Sequence, residues 1–215
     1  MTWVLRIFRD RGAEDPRSWP HLGLMVCWHS RYRLGDRHNF ADSDDLWEYL
    51  EQEGGAKRAV VLPVYLYDHG VIAVSTRPFY DPWDSGQVGW IAAPASRIRE
   101  EYRVKRVTPS VRRRVEEALR AEVEVYDLWL RGEVYGYELY RRTRQGFRLV
   151  DSCGGFYGYR PKESTMLQYL PRPVARALVQ EVSWLEDGLE LLVERAGVRV
   201  LEGYGSARLL EEVAL

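Results

Sequence analysis

Cysteine, lysine and histidine are scarce in this chain. Two cysteines, Cys27 and Cys153, stand in 215 residues. They supply neither a disulfide framework nor the spacing of a metal cluster, so a reducing cytoplasm is the expected setting. The four histidines (His21, His29, His38 and His69) show no paired metal spacing, and no metal site is expected. Lysine occurs only at Lys57, Lys105 and Lys162, so arginine carries almost all the positive charge. The net charge of −1 excludes a globally basic nucleic-acid binder but leaves room for a local basic patch. No apolar run approaches the ~20 residues of a membrane helix. The start, MTWVLRIFRDRG, carries charge early and lacks the apolar core of a signal peptide. There is no P-loop, catalytic triad or metal motif, and no cofactor is expected.

Aromatic residues are abundant: eight tryptophans and fourteen tyrosines. Such residues build cores, but they also populate interfaces and base-stacking platforms. Residues 2–8 alternate apolar and polar, as an edge or half-buried strand does. Residues 22–29 read as a second strand. Asp42 or Ser43 caps a helix to about Glu53, which Gly54-Gly55 stops. Residues 59–67 and 71–76 make a hairpin around Asp68-His69-Gly70, with Pro63 demanding an edge or a bulge. Residues 88–93 add a strand, and Ser96 caps a short helix. Thr108 and Pro109 open the clearest helix, which Gly132 ends. Residues 133–142 and 147–153 form a second hairpin with a bulge at Gly136. Pro171 and Pro173 open a helix that kinks at Gly188 and ends at Gly197; a last strand follows, then a short helix or frayed tail from Ala207.

Adjacent strand pairs with helices in blocks give an α+β fold: an antiparallel sheet built from hairpins, packed by two longer helices and shorter ones. The expected organisation is a single domain with one continuous sheet. Within it, residues 1–55 are a possible small unit, residues 58–160 a core, and residues 161–215 a helical extension. The two hairpins are expected to join side by side, bringing their loops together.

Four groups of residues carry candidate chemistry, each with a plainer reading beside it. Asp81, Asp84 and Ser85 offer oxygen ligands for a hard cation near Asp68 and His69, and Asp68, His69, Asp81 and Asp84 a hydrolytic site, yet Asp81 and Asp84 are better read as ordering turns around Pro82 and Gly86. Cys153 is a nucleophile only if a histidine reaches it through the fold; otherwise it is a small buried hydrophobe. Trp83, Asp84, Ser85, Gln87, Trp90 and Tyr157 are candidate binding residues, against core packing for the aromatic ones. Arg97 to Arg120 holds nine basic and four acidic residues, and Arg141, Arg142, Arg144 and Arg148 flank a hairpin turn. Arg112, Arg113, Arg114, Arg141, Arg142 and Arg144 are therefore candidate nucleic-acid contacts, against a solvated charged face.

The blocks LPVYLYDHGVIAVST (62–76), WDSGQVGWI (83–91), YDLWLRGEVYGYEL (126–139) and VDSCGGFYG (150–158) resemble those of a family of uncharacterised proteins encoded by bacteriophages and other mobile elements. The similarity covers roughly residues 58–160. It implies an accessory role in a bacterial or phage cytoplasm and carries no activity with it. The expected function is a non-enzymatic accessory protein that binds a host protein or nucleic acid. The alternative is a small hydrolase or nuclease built on Asp68, His69, Asp81 and Asp84, and a third option is a virion or assembly factor. The sequence leaves the oligomeric state open.

Overall fold

In a computed structural model describing residues 1–201, nine strands and four α-helices follow one another along the chain. The order is β1 (Trp3–Arg9), β2 (Leu24–Cys27), α1 (Ser43–Gln52), β3 (Val60–His69), β4 (Val71–Ser75), β5 (Ser85–Ala93), α2 (Ala95–Glu101) and α3 (Pro109–Leu130). Then come β6 (Val134–Thr143), β7 (Gly146–Tyr157), α4 (Arg172–Glu181), β8 (Glu190–Glu194) and β9 (Gly197–Leu201). Every strand pairing is antiparallel, and the fold is α+β. The tail from Ala207 lies outside the described residues. No described helix is long and apolar enough to cross a membrane.

The strands form two sheets instead of the single one expected: β7-β6-β1-β8-β9 and β2-β5-β3-β4. The chain divides into two compact units to match. One is continuous, Asp15–Arg131; the other has two segments, Met1–Glu14 and the chain from Gly132 onward. The two hairpins therefore do not join. Each inner strand is already paired on both sides: β3 between β4 and β5, and β6 between β7 and β1. The outer strands are blocked as well. The outward Val74 amide of β4 donates to Asp127 Oδ1 at 2.8 Å, and β7 is interrupted by two register shifts. Asp127 is held above the usual carboxylate range by burial, which the Val74 amide and Arg131 partly offset.

In the continuous unit, α3 covers one sheet face. Thr108 caps it, Pro109 opens it, and Val111, Val115, Leu119, Val123 and Tyr126 bury along one stripe. They meet Leu62, Val64, Leu66, Val74 and Ile91, each side chain contributing about 1.5–3 kcal/mol when fully buried. Asp42 accepts from the Asp44 and Asp45 amides to start α1, whose Leu46 and Leu50 pack with Val26, Ala59 and Ala92. Pro63 pairs with Trp90, one residue before a register shift and outside the β3–β4 pairing, which begins at Tyr65. Ser96 does not cap α2: Pro94 takes that place, and Ser96 Oγ donates to Glu53 Oε2 at 2.6 Å.

A buried arginine ties this unit's opening loop to the rest. Arg17 donates through Nε to Asp36 Oδ1 at 2.9 Å and through Nη2 to Asp36 Oδ2 and the Gly23 carbonyl, both at 2.6 Å. Its Nη1 donates to Glu122 Oε2 at 3.1 Å. Backbone amides of Met25 (to Asp36) and Leu22 and Gly23 (to Glu122) complete the carboxylates' hydrogen bonding. Burial works against the Arg17 charge, but the two carboxylates outweigh it and hold the guanidinium protonated.

In the two-segment unit, β1 is central, lying between β6 and β8, and not an edge. Val4, Leu5 and Ile7 are wholly buried. The expected long helix after Pro171 ends at Glu181, and residues read as its continuation form β8, so the segment after residue 160 is not a helical extension. Val174, Ala177 and Leu178 of α4 pack on Leu5, Ile7, Leu139, Leu191 and Val193. On the other face Arg6 lies across from Glu138 and Glu190, a charge ladder over three strands.

Candidate functional site

The β3–β4 hairpin and the start of β5 bring the first candidate group together. The Asp68 amide donates to the Asp84 carbonyl at 2.8 Å, and His69 Nδ1 lies 2.7 Å from Asp84 Oδ2. The carboxylates are spent on structure, however. Asp68 pairs with Arg31 and accepts from Tyr32 Oη at 3.1 Å. Asp81 Oδ1 accepts the Trp83 and Asp84 amides at 2.9 and 3.3 Å, an Asx turn, and Ser85 Oγ donates to the Asp81 carbonyl. Among the described residues no three of His, Cys, Asp and Glu group to hold a metal ion. The arrangement can hold a turn rigid; it offers neither a nucleophile beside a base nor a ligand cage. The turn presents Trp83 and Tyr80 fully to solvent, and no pattern in the chain singles out Tyr80. Gln87 is exposed, with Nε2 reaching the Gly89 carbonyl at 3.3 Å. Trp90 is half-buried, packed against the cluster of Val26, Leu46 and Leu50 and edge-on to Trp47 at 5.8 Å.

An open concavity of about 1320 Å³ in the same unit is lined by Trp28, His29, Tyr32, Arg33, Asp36 and His38, among others. Its imidazoles serve the backbone. His29 Nδ1 accepts from the Arg31 and Tyr32 amides, and His38 Nε2 lies 3.1 Å from the Cys27 carbonyl. Burial pushes the Cys27 thiol up to about 12. The unfolded thiol ionises near 9.0, so this contribution to stability is whole below about pH 9 and drains as pH climbs toward 12. In the native chain at about pH 8, iodoacetamide should label Cys153 and spare Cys27, with both reacting in urea. Equal native labelling of the two, read by peptide mass spectrometry, would show that Cys27 is not sealed.

In the two-segment unit the stretch Asp151 to Gly155 is a packing device. Tyr137 Oη donates to Asp151 Oδ2 at 2.6 Å, and burial followed by that bond pushes the phenol's pKa up. The Gly155 amide donates to Asp10 Oδ2 at 2.9 Å. A Cβ on Gly154 would sit 2.4 Å from that same oxygen, and one on Gly136 would sit 2.3 Å from the Phe8 ring. Cys153 Sγ contacts the Gly154 carbonyl, and all four histidines belong to the other unit. Tyr157 Oη donates to the Glu14 carbonyl at 2.7 Å, a structural use.

The basic candidates separate into two kinds. Arg112 donates to the Lys57 and Ala59 carbonyls, and Arg114 stacks over Tyr102 at 4.9 Å, leaving Arg113 as the α3 residue of the three without a partner among the described residues. The β6–β7 hairpin is different. Arg141, Arg142, Arg144 and Arg148 are all exposed, and none of their guanidinium groups has a hydrogen bond or ion pair among the described residues. Arg141 lies directly across from Arg148. Like charges so placed repel, and nothing described neutralises them. The turn is rigid: Thr143 Oγ1 donates to the Gly146 carbonyl at 2.8 Å, the Gln145 amide donates to Thr143 Oγ1 at 3.2 Å, and Gly146 takes φ 107°.

Comparison with known proteins finds no matching family model, curated protein or solved structure.

Proposed function

We propose that this chain is a non-enzymatic binding protein whose β6–β7 ribbon takes the phosphate backbone of a nucleic acid. The observation that carries the reading is the set of four exposed arginines, without a partner among the described residues, on a rigid hairpin, two of them facing each other. Holding like charges together costs stability unless an anion comes between them, and guanidinium groups suit phosphate geometry. With a net charge of −1, affinity rests on this local patch and not on the global field. The resemblance of residues 58–160 to proteins of bacteriophages and mobile elements supports an accessory role in a bacterial or phage cytoplasm.

Four phosphate contacts give log affinity a slope of about −3.6 against log salt, a loss of about a hundredfold between about 50 and 200 mM. Changing Arg141, Arg142, Arg144 and Arg148 together to glutamine should flatten that slope toward zero in anisotropy titrations of labelled DNA. A quadruple variant that keeps the wild-type slope removes the ribbon from the reading.

A further inference from the structure

We infer that the open concavity of the Asp15–Arg131 unit binds a small ligand that joins a phosphate to a planar ring, a mononucleotide in class. The site lies wholly within that unit and does not depend on the β6–β7 hairpin. The ground is the charge left over in its wall. Arg33 and Arg37 both line it, both are exposed, and neither has a hydrogen bond or ion pair among the described residues. The carboxylates of the same wall are turned elsewhere. Asp36 is taken up by Arg17, and Asp15 Oδ1 accepts the Arg17 amide at 2.8 Å. Two guanidinium groups in one hollow, with no described carboxylate bonded to either, match the oxygens of a phosphate, which accept their paired N–H groups.

The wall is fixed before any ligand arrives. The segment from Trp28 to Asp42 joins β2 to α1 without a helix or strand of its own, a length of loop that compact domains keep for function or leave disordered. This one is pinned. Tyr32 Oη donates to Asp68 Oδ1 at 3.1 Å, the Gly35 amide to Tyr126 Oη at 3.0 Å, and the Asp36 amide to the Met25 carbonyl at 2.8 Å. A Cβ on Gly35 would sit 2.5 Å from that same carbonyl oxygen, so only glycine lets the loop approach β2 so closely. Arg33 stands inside the pinned stretch, and Arg37 stands between Asp36 and His38, both of them anchored. A preformed site loses less affinity to ordering.

Aromatic rings stand in the same wall. Trp28, His29 and Tyr32 line the concavity and are half-buried. His29 lies flat against Tyr32, with 5.1 Å between centroids and 9° between planes. Such rings stack on any base, because every base has a π-face. The hollow, at about 1320 Å³, is far larger than a bare phosphate needs and lies above the ~300–1,000 Å³ of most small-molecule sites. Its ligand therefore carries a body as well as an anion.

The test is calorimetric titration of the full chain with ATP, adenosine and inorganic phosphate. ATP should bind, adenosine and phosphate should each bind at least about tenfold more weakly, and Arg33→Gln and Arg37→Gln should each weaken ATP at least about tenfold. No heat from ATP at about 1 mM overturns the inference. So does phosphate binding as tightly as ATP, which leaves the rings no part, or adenosine doing so, which leaves the guanidinium groups none. If ATP binds and neither variant weakens it, the phosphate lies elsewhere and the concavity is not its site. Loss of ATP binding in the quadruple glutamine variant of the hairpin alone would place the phosphate there, overturning this inference while the hairpin reading stands. A DNA single strand that binds tighter than ATP, and is weakened by both variants, would make the ligand a polymer and overturn the small-ligand inference. All substituted side chains are exposed, and melting curves that match the wild type establish that each variant is folded.

Discussion

Replacing Arg17 with methionine should lower the unfolding free energy of the Asp15–Arg131 unit by about 3–5 kcal/mol, read as a fall in the urea midpoint. The guanidinium is nearly sealed from solvent and faces two carboxylates. Methionine fills much of the same volume but leaves Asp36 and Glu122 near each other, with three backbone amides and the His21 Nε2, 3.5 Å from Asp36 Oδ2, as their remaining compensation. The cost is mostly that of stranding partly buried negative charge and not the net worth of the ion pairs, which can be small. Adding Asp36→Asn to the methionine variant should therefore recover part of the loss, a non-additivity expected of residues in one network. A methionine variant within about 1 kcal/mol of wild type would mean that the loop from Asp15 to Asp36 does not depend on this cluster.

Gly89→Ala should cost about 3 kcal/mol or more, or abolish folding of the same unit. A Cβ there would lie 2.0 Å from the Val26 carbonyl oxygen and 2.7 Å from Cys27 Cα. Both are backbone atoms of β2, so no side chain can turn aside. Relief requires β2 and β5 to part, and with them the pairs from Leu24↔Ala92 to Cys27↔Gly89. Gly86, three residues earlier in the same strand, is the control. Nothing lies within 4 Å of its Cβ position, and alanine there should be neutral or mildly stabilising. Far-UV melting curves of the two variants separate the roles; equal stability would overturn the steric account.

Local chemistry made much of the fold legible. Asp42, Thr108 and Pro109 mark helix starts because caps act over three or four residues, and Gly70 and Gly146 mark hairpins because their φ values of 80° and 107° favour glycine. Partnership between distant strands left no such mark. The pairing of Trp3 with both Arg141 and Val193 is invisible to a pattern read within one window. The run from Leu189 to Val193 is apolar enough to be a buried helix or a buried strand, and periodicity does not separate them. Site residues divided the same way. The arginines around Gly146 stood out as a local excess of charge. The Arg112 contacts with the Lys57 and Ala59 carbonyls, and the Arg17 cluster with Glu122, join residues far apart in sequence. The motif around Asp151 to Gly155 looked chemical because acid, thiol and glycine are costly residues. The fold uses the acid to accept from the Tyr137 phenol and Gly154 to let Asp10 reach the Gly155 amide.

The central place of β1 also bears on how the molecule is made. It leaves the ribosome ahead of its partners, and both of its sheet neighbours come after the entire Asp15–Arg131 unit. At about 5–20 residues per second, translation keeps that strand waiting for on the order of ten seconds while the intervening unit emerges and folds. Until β6 and β8 arrive, Val4, Leu5 and Ile7 must be shielded by chaperones or tolerated in water.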